Sequence, residues 1–139
     1  TVHVHMVAQE DVTSLPNVIC ELDLYKITPQ DLKHITCNFS LSSMGSRCLN
    51  SIVLWFDVWF PDGSRLSTSP DLEDTHWQNT VLGLHDQKLQ QDDIVSGTIT
   101  ISQDDNYYRH LKVGLEYSIN KGPIVVRAYK MDDNCIDED

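Results

Sequence analysis

The 139-residue sequence lacks the patterns that mark several large classes of protein. No run approaches the ~20 apolar residues that a membrane-spanning helix needs, and the first residues show no signal-peptide pattern. The six glycines are scattered singly, so no G-x-G-x-x-G loop or P-loop is present to bind a nucleotide phosphate. No G-x-S-x-G motif exposes a nucleophilic serine. We therefore predict an intracellular protein, in the cytoplasm or the nucleus, with no membrane partner and no complete catalytic site of its own.

Basic residues are also scarce. The 10 lysines and arginines face 21 acidic residues, for a net charge of -11. A duplex nucleic-acid binder needs a basic surface to neutralise phosphates, so we predict no direct nucleic-acid binding. Five of the acidic residues lie in the final "MDDNCIDED", which predicts a domain over 1–131 and a disordered acidic tail over 132–139. The remaining acidity suits a solvated surface or the steering of a cationic partner.

Metal-binding spacings are absent as well. The four cysteines show no C-x-x-C or zinc-knuckle pattern, so no metal site is predicted. Cys20 and Cys37 fall within alternating apolar runs, which predicts buried, reduced thiols. His3 and His5 alternate along the first predicted strand. This spacing is typical of a solvated strand face, and a two-histidine metal site is the less favoured alternative.

What the sequence does have is alternation of apolar and polar residues, with almost no helical periodicity. The longest run, "CLNSIVLWFDVWF" over 48–60, is apolar on both faces and predicts a central strand covered on both sides. Thr28 as N-cap and Pro29 at the first helical position predict one short helical turn near 29–33. Further strands are predicted in "VICELDLYKI", "ITCNFSLS", "WQNTVLGL", "IVSGTITIS", "HLKVGLEYSI" and, after a hairpin turn at "NKG", "PIVVRAYKM". We therefore predict an all-β fold, an antiparallel β-barrel or sandwich of about eight strands.

The loop "STSPDLEDTHWQNT" places His76 and Trp77 in a polar, acidic segment. A loop tryptophan exposes costly apolar surface unless something covers it. Taken alone, Trp77 is more typical of a strand-end residue that packs on its own domain. Trp55 and Trp59 lie two residues apart on the predicted central strand, so we expect both to pack structurally in the barrel.

Four segments in order, "LWFDVWF", "LSTSP", "THW" and "VSGTITI", resemble the C-terminal β-barrel domain of protein arginine methyltransferases. The type I branch, which forms asymmetric dimethylarginine, looks most similar. The upstream "NVICELDLYKITPQDL" is similar to the strand and helical turn that lead into that barrel. The resemblance runs from about residue 7 to residue 131.

This resemblance implies a substrate-side domain of an S-adenosylmethionine-dependent enzyme. The cofactor would be bound by a Rossmann-type domain that is absent from this chain, as are the family's two substrate-binding glutamates. By resemblance, His76 meets an acidic residue of the cofactor domain, Trp77 walls the pocket for the substrate arginine, and Thr75 anchors the loop. Arginine-rich proteins or peptides are the implied substrates. A homodimer is implied through a helical arm that we expect upstream of Thr1, and the isolated chain is expected to be inactive.

The alternative is a non-catalytic β-sandwich binding module for a sugar or a peptide. In that case the aromatic side chains of Trp77, Tyr107 and Tyr108 would act as stacking platforms.

Overall fold

The computed structural model describes residues 2–72, 77–107, 109–132 and 136–138. These residues form ten strands and one 3-10 helix, Gln9–Asp11, which confirms the predicted all-β class. In this part of the chain, no helix has the length and apolar character required to span a membrane. The strands are β1 (Val2–His5), β2 (His34–Ser42), β3 (Arg47–Leu54), β4 (Asp57–Trp59), β5 (Arg65–Ser67), β6 (Asn79–Leu89), β7 (Ile94–Gln103), β8 (Leu111–Ile119), β9 (Val125–Met131) and β10 (Ile136–Glu138).

The strands form two four-stranded sheets and a separate hairpin. The first sheet has the order β10-β1-β6-β3, the second has the order β2-β7-β8-β9, and β4 pairs with β5. All strand pairs are antiparallel except β1 with β10. Because the two sheets do not close into one, the arrangement is a sandwich rather than a barrel.

The core lies between the two sheets and is built from alternate strand residues. On β7 and β8 the predicted inward positions include the buried Val95, Ile99, Val113 and Leu115. The Tyr129 hydroxyl of β9 donates a 2.7 Å hydrogen bond to the Gly83 carbonyl of β6, which ties one sheet to the other. The remaining buried members of this core are Val2, Phe39, Leu49, Ile52, Leu82, Leu89, Tyr117 and Tyr129.

The prediction of one central strand over 48–60 is wrong. Strand β3 ends at Leu54 and lies at the edge of its sheet, and the chain resumes as β4 at Asp57. The reason is local hydrogen bonding: the backbone of Phe56 bonds to Thr68 instead of to a sheet neighbour. The apolar run therefore divides between a sheet and a hairpin.

The strand predicted in "VICELDLYKI" is also not formed. Residues 18–27 carry no strand, and their alternating apolar side chains are mostly exposed, with Leu24 at 74% and Tyr25 at 85%. Pro16, just before this segment, has no N–H to donate to a strand ladder. The helical turn near 29–33 is present as consecutive i to i+3 hydrogen bonds rather than as a helix. Its predicted cap is confirmed, since the Thr28 hydroxyl accepts from the Asp31 N–H at 3.3 Å and the Asp31 carboxylate accepts from the Thr28 N–H at 3.0 Å.

The predicted "NKG" hairpin connects β8 to β9. Asn120 and Lys121 both have positive φ, 51° and 60°, and the Gly122 N–H donates to the Ile119 carbonyl at 2.9 Å. The two positive φ values and this hydrogen bond form a tight turn within the five-residue connection 120–124. The asparagine and the lysine, rather than the glycine, occupy the left-handed positions.

Half of the acidic tail lies outside the described residues, which exclude 133–135 and 139. The structure gives 136–138 as β10, paired in parallel with β1. Disorder over 132–139 and the boundary at 131 stay predictions.

Candidate functional site

The candidate site is the loop from Ser69 to Gln78, which joins β5 to β6. Thr75 and His76 lie outside the described residues, so their predicted roles stay predictions. Trp77 is described: it is 47% exposed and meets Phe56 edge-on, with ring centroids 5.9 Å apart and planes at 78°. It takes no part in the core between the sheets. The indole therefore lies at the rim of the domain, beside the start of β6.

Thr68 fixes the loop where it leaves β5. The Thr68 hydroxyl accepts from the Phe56 N–H and donates to the Phe56 carbonyl, each at 3.0 Å. The Thr68 N–H also donates to that carbonyl at 3.0 Å. One buried threonine thus holds the backbone of the residue whose ring supports Trp77.

Asn79 fixes the loop where it returns to the sheet. It is 2% exposed, and its Nδ2 donates to the Thr68 carbonyl at 2.7 Å. Its Oδ1 accepts from the Val7 N–H at 3.2 Å. The residue before it, Gln78, has a positive φ of 57°, a left-handed conformation that is uncommon for residues other than glycine. A single buried amide therefore joins both ends of the loop to the segment after β1.

The β4–β5 hairpin lies next to this anchor. Arg65 pairs with Asp57 at 3.5 Å, and its guanidinium lies 5.4 Å from the centre of the Trp59 ring. Trp59 is 67% exposed, so the prediction that it packs inside the barrel is wrong: it is on the hairpin, outside the sandwich. At the turn, the hydroxyl and N–H of Ser64 donate to Asp62 and keep the pKa of that carboxyl below its usual value.

An open cleft of about 1470 Å³ separates the edges of the two sheets. It exceeds the roughly 300–1,000 Å³ of ordinary small-molecule pockets. Its walls are mainly apolar, and they include the half-buried Trp55, Phe56 and the exposed segment 18–25. The candidate loop borders the cleft through Ser69 and Asp71, which are hydrogen-bonded to each other.

Sequence reasoning missed the two residues that anchor the loop, Thr68 and Asn79. The available signal was a polar residue at the junction of a loop with an apolar strand, because buried polar side chains are kept only where they are hydrogen-bonded. Tyr107, proposed as a stacking platform, is 62% exposed and packs against the His110 ring at 5.1 Å, while Tyr108 lies outside the described residues.

The cysteines also differ from expectation. Cys20 is exposed and Cys37 is only half-buried, so the prediction that both are buried is wrong, although both are free thiols. Cys20 belongs to the segment that fails to pair as a strand, which explains its exposure. Among the described residues, no group of three or more His, Cys, Asp or Glu side chains is arranged to hold a metal ion.

Comparisons with a family model and with curated proteins point to the same family. The model of the arginine methyltransferase oligomerization subdomain matches residues 1–122. Protein arginine N-methyltransferase 6 from Xenopus tropicalis is 37% identical over 131 residues, which cover 92% of this chain and 38% of that protein. The protein of the same name from Xenopus laevis is 39% identical over 122 residues, covering 86% of the chain and 36% of that protein. The chain therefore spans well under half the length of these relatives.

Solved structures show the same fold at low sequence identity. One, a Trypanosoma brucei PRMT1 enzyme–prozyme heterotetrameric complex with AdoHcy, superposes with a TM-score of 0.87 at 19% identity, over 94% of this chain and 44% of that one. The structure of Arabidopsis thaliana protein arginine methyltransferase 10 superposes with a TM-score of 0.82 at 17% sequence identity, over 94% of this chain and 42% of that one. Nothing in these relatives supports the alternative of a sugar- or peptide-binding module. The family model matches residues 1–122, and the sequence identity to the two Xenopus proteins is 37% and 39%. The chain therefore belongs to the arginine methyltransferase family and corresponds to the C-terminal β domain of its members.

Proposed function

We propose that this chain is the substrate-side domain of an S-adenosylmethionine-dependent protein arginine N-methyltransferase. The parent protein would transfer methyl groups to guanidinium nitrogens of protein substrates. The observation that carries the proposal is the family match over residues 1–122. The chain covers only 38% of the Xenopus tropicalis relative, so most of the catalytic machinery would lie in the rest of the parent protein.

Trp77 is the residue proposed to wall the substrate-arginine pocket. Its 47% exposure supports the role, because much of the indole surface lies outside the domain's own core. Arginine remains protonated at physiological pH, and a guanidinium over an indole face gains roughly 0.5–2 kcal/mol. The anchors at Thr68 and Asn79 would limit the movement of the loop and so help to orient the bound arginine.

His76 is proposed to meet a carboxylate of the cofactor-binding domain, with Thr75 as the anchor of the loop. An imidazole against a carboxylate would hold two domains in register across a cleft. The position of His76 beside Trp77 in the sequence supports this assignment, because both side chains would then act at the same domain boundary.

We propose no S-adenosylmethionine site within this chain. The sequence has no glycine-rich loop that would bring backbone N–H groups close to such a ligand. When bound elsewhere in the parent protein, the cofactor supplies the methyl group. This chain's proposed part is to bind and orient the arginine.

The net charge of -11 supports arginine-rich proteins or peptides as substrates. An acidic surface raises the local concentration of a cationic partner and speeds its association. We also propose that the parent protein acts inside the cell, in the cytoplasm or nucleus, as a homodimer. The family model's description as an oligomerization subdomain supports the second point.

The test is methyl transfer by the intact parent protein to an arginine-rich peptide. We expect Trp77→Ala to lower kcat/KM about tenfold or more, equivalent to about 1.4 kcal/mol, while the melting temperature stays close to that of wild type. Trp59→Ala is the matched control, since it removes another exposed indole, on the β4–β5 hairpin, and should change kcat/KM by less than about twofold. Equal kinetics for the two variants would remove Trp77 from the pocket. A wild-type parent without methyl-transfer activity would refute the proposed function itself.

A further inference from the structure

A segment that forms no strand runs along the free edge of β2. The Met44 N–H donates to the Thr13 carbonyl at 2.8 Å, and Ser14 forms an isolated antiparallel bridge with Ser43. Further along, the Asn17 side chain accepts from the Ser40 N–H at 3.0 Å. Thr13 thus faces Met44, and Asn17 faces Ser40, in one antiparallel register. Continued without a shift, that register places Cys20 opposite Cys37.

The type of pair also favours contact between the two thiols. The bridge of Ser14 with Ser43 is of the non-hydrogen-bonded type, and Cys20 lies an even number of residues further along, so it has the same type of position. In a formed ladder such pairs have Cα atoms about 4.5 Å apart, within the roughly 4.4–6.8 Å that disulfides require, so extending the register from Asn17 to Cys20 would bring the two thiols within bonding range.

The environment of the two thiols agrees with this register. Burial, and then the charge and hydrogen bonding of the neighbouring Cys20 thiol, raise the pKa of Cys37. Cys20 is exposed and can meet a dissolved oxidant, whereas Cys37 is half-buried against β7. The pair therefore has one accessible sulfur and one shielded sulfur within reach of it.

We propose that Cys20 and Cys37 form a reversible intramolecular disulfide when the protein meets hydrogen peroxide. The Cys20 thiolate attacks one peroxide oxygen, so that an S–O bond forms, the O–O bond breaks and the departing oxygen leaves as water after protonation. The Cys37 sulfur then attacks the Cys20 sulfur as it loses its proton. The S–S bond forms, the S–O bond breaks, and a second water leaves. Two thiols are oxidised by two electrons, and one peroxide is reduced to two waters.

The disulfide would fasten one wall of the open cleft. Residues 18–25 line that cleft together with Trp55 and Phe56, yet no backbone hydrogen bond joins residues 18–25 to β2 in the described structure. Their exposed apolar side chains give them little packing energy. A covalent bond from Cys20 to the rigid β2 would fix this wall against the sheet, and a thiol reductant would release it.

The chemical test is peroxide treatment of the purified chain, followed by alkylation, digestion without reductant and mass spectrometry. Replacing Cys135 by Ser in every sample removes the thiol outside the described residues. We expect a cross-linked peptide containing Cys20 and Cys37 that dithiothreitol abolishes. It should persist in Cys48→Ser, the control for an exposed thiol on another strand, and vanish in Cys20→Ser and Cys37→Ser. Over-oxidised Cys20 without a cross-link, or cross-links to Cys48 alone, would overturn the proposal.

The structural consequence is tested by amide hydrogen exchange on the same samples. Oxidation should slow exchange across 18–25 severalfold in the chain that retains Cys20 and Cys37, and dithiothreitol should restore the original rate. Peroxide-treated Cys37→Ser should exchange as the reduced chain does, with circular dichroism showing that the variant keeps its β-structure. If the cross-link forms and exchange stays the same, the segment is not fastened, and that part of the proposal is wrong.

Discussion

Replacing Asn79 by alanine tests whether one buried amide holds the candidate loop. Asn79 is 2% exposed, donates to the Thr68 carbonyl at 2.7 Å and accepts from the Val7 N–H at 3.2 Å. Alanine cannot replace either bond, so two backbone groups lose their partner. A buried polar group left without a hydrogen bond costs about 1–3 kcal/mol. Thr68 is buried and Val7 is partly buried, which gives a total of roughly 2–4 kcal/mol lost from the free energy of unfolding.

Urea unfolding of the purified chain measures this loss, with Asn38→Ala as the matched control. Asn38 is also on a strand and also makes a side-chain hydrogen bond, accepting from Thr98 at 3.1 Å, but it is exposed. Its replacement should change stability by no more than about 0.5 kcal/mol. If the two variants lose the same free energy of unfolding, water replaces the hydrogen bonds of Asn79, and Asn79 does not anchor the loop.

Three further predictions concern contacts within and between the two sheets. Gly97→Ala should lower the free energy of unfolding by about 3 kcal/mol or more, because the added Cβ would lie 1.8 Å from the Glu116 backbone oxygen. Gly114→Ala is the control and should be close to neutral, because its Cβ would have no neighbour nearer than 3.8 Å. Thermal unfolding of the two variants compares them. Tyr129→Phe should lose about 1 kcal/mol in urea unfolding at neutral pH, since it removes the hydroxyl that donates to Gly83 across the sandwich; no loss would mean that the bond adds nothing to stability. Burial raises the pKa of Tyr129 above its usual 10.0, so its stabilising contribution is complete below that pH and is lost as pH rises through the raised pKa; Tyr129→Phe should therefore lose less stability than wild type between neutral and strongly alkaline pH, and equal losses would contradict this.

The second sheet was predicted well from the sequence, because the side-chain alternation and the turn signal both agree with the observed strands. Along β7 and β8 the alternation of side chains matches the burial of Val95, Ile99, Val113 and Leu115, and a turn signal separates β8 from β9. Local preference and tertiary packing favour the same conformation in such segments. The class of fold followed from this alternation alone.

The errors fall where polar residues override the apolar pattern. Alternation in 18–27 is as regular as in β2, but Pro16 and the Asn17 side chain occupy the positions that would extend a ladder, and the segment stays unpaired. Which hydrogen bonds a particular asparagine or threonine makes depends on its position in three dimensions, and periodicity holds no information on that. For the same reason Asn79 was missed, whereas Trp77 could be suggested from the loop motif in which it lies.

The break at Phe56 and the position of Trp77 have one cause. A continuous strand would bury more of Phe56, which is 42% exposed, and full burial of such a side chain is worth about 1.5–3 kcal/mol. Against this stand the two hydrogen bonds of the buried Thr68 hydroxyl to the Phe56 backbone, at about 0.5–1.5 kcal/mol each. Together they amount to roughly 1–3 kcal/mol, which offsets the part of the burial that is lost, since Phe56 is already more than half buried where it lies. The Phe56 ring is therefore held away from the core, and Trp77, which packs on its edge, is held at the rim with it.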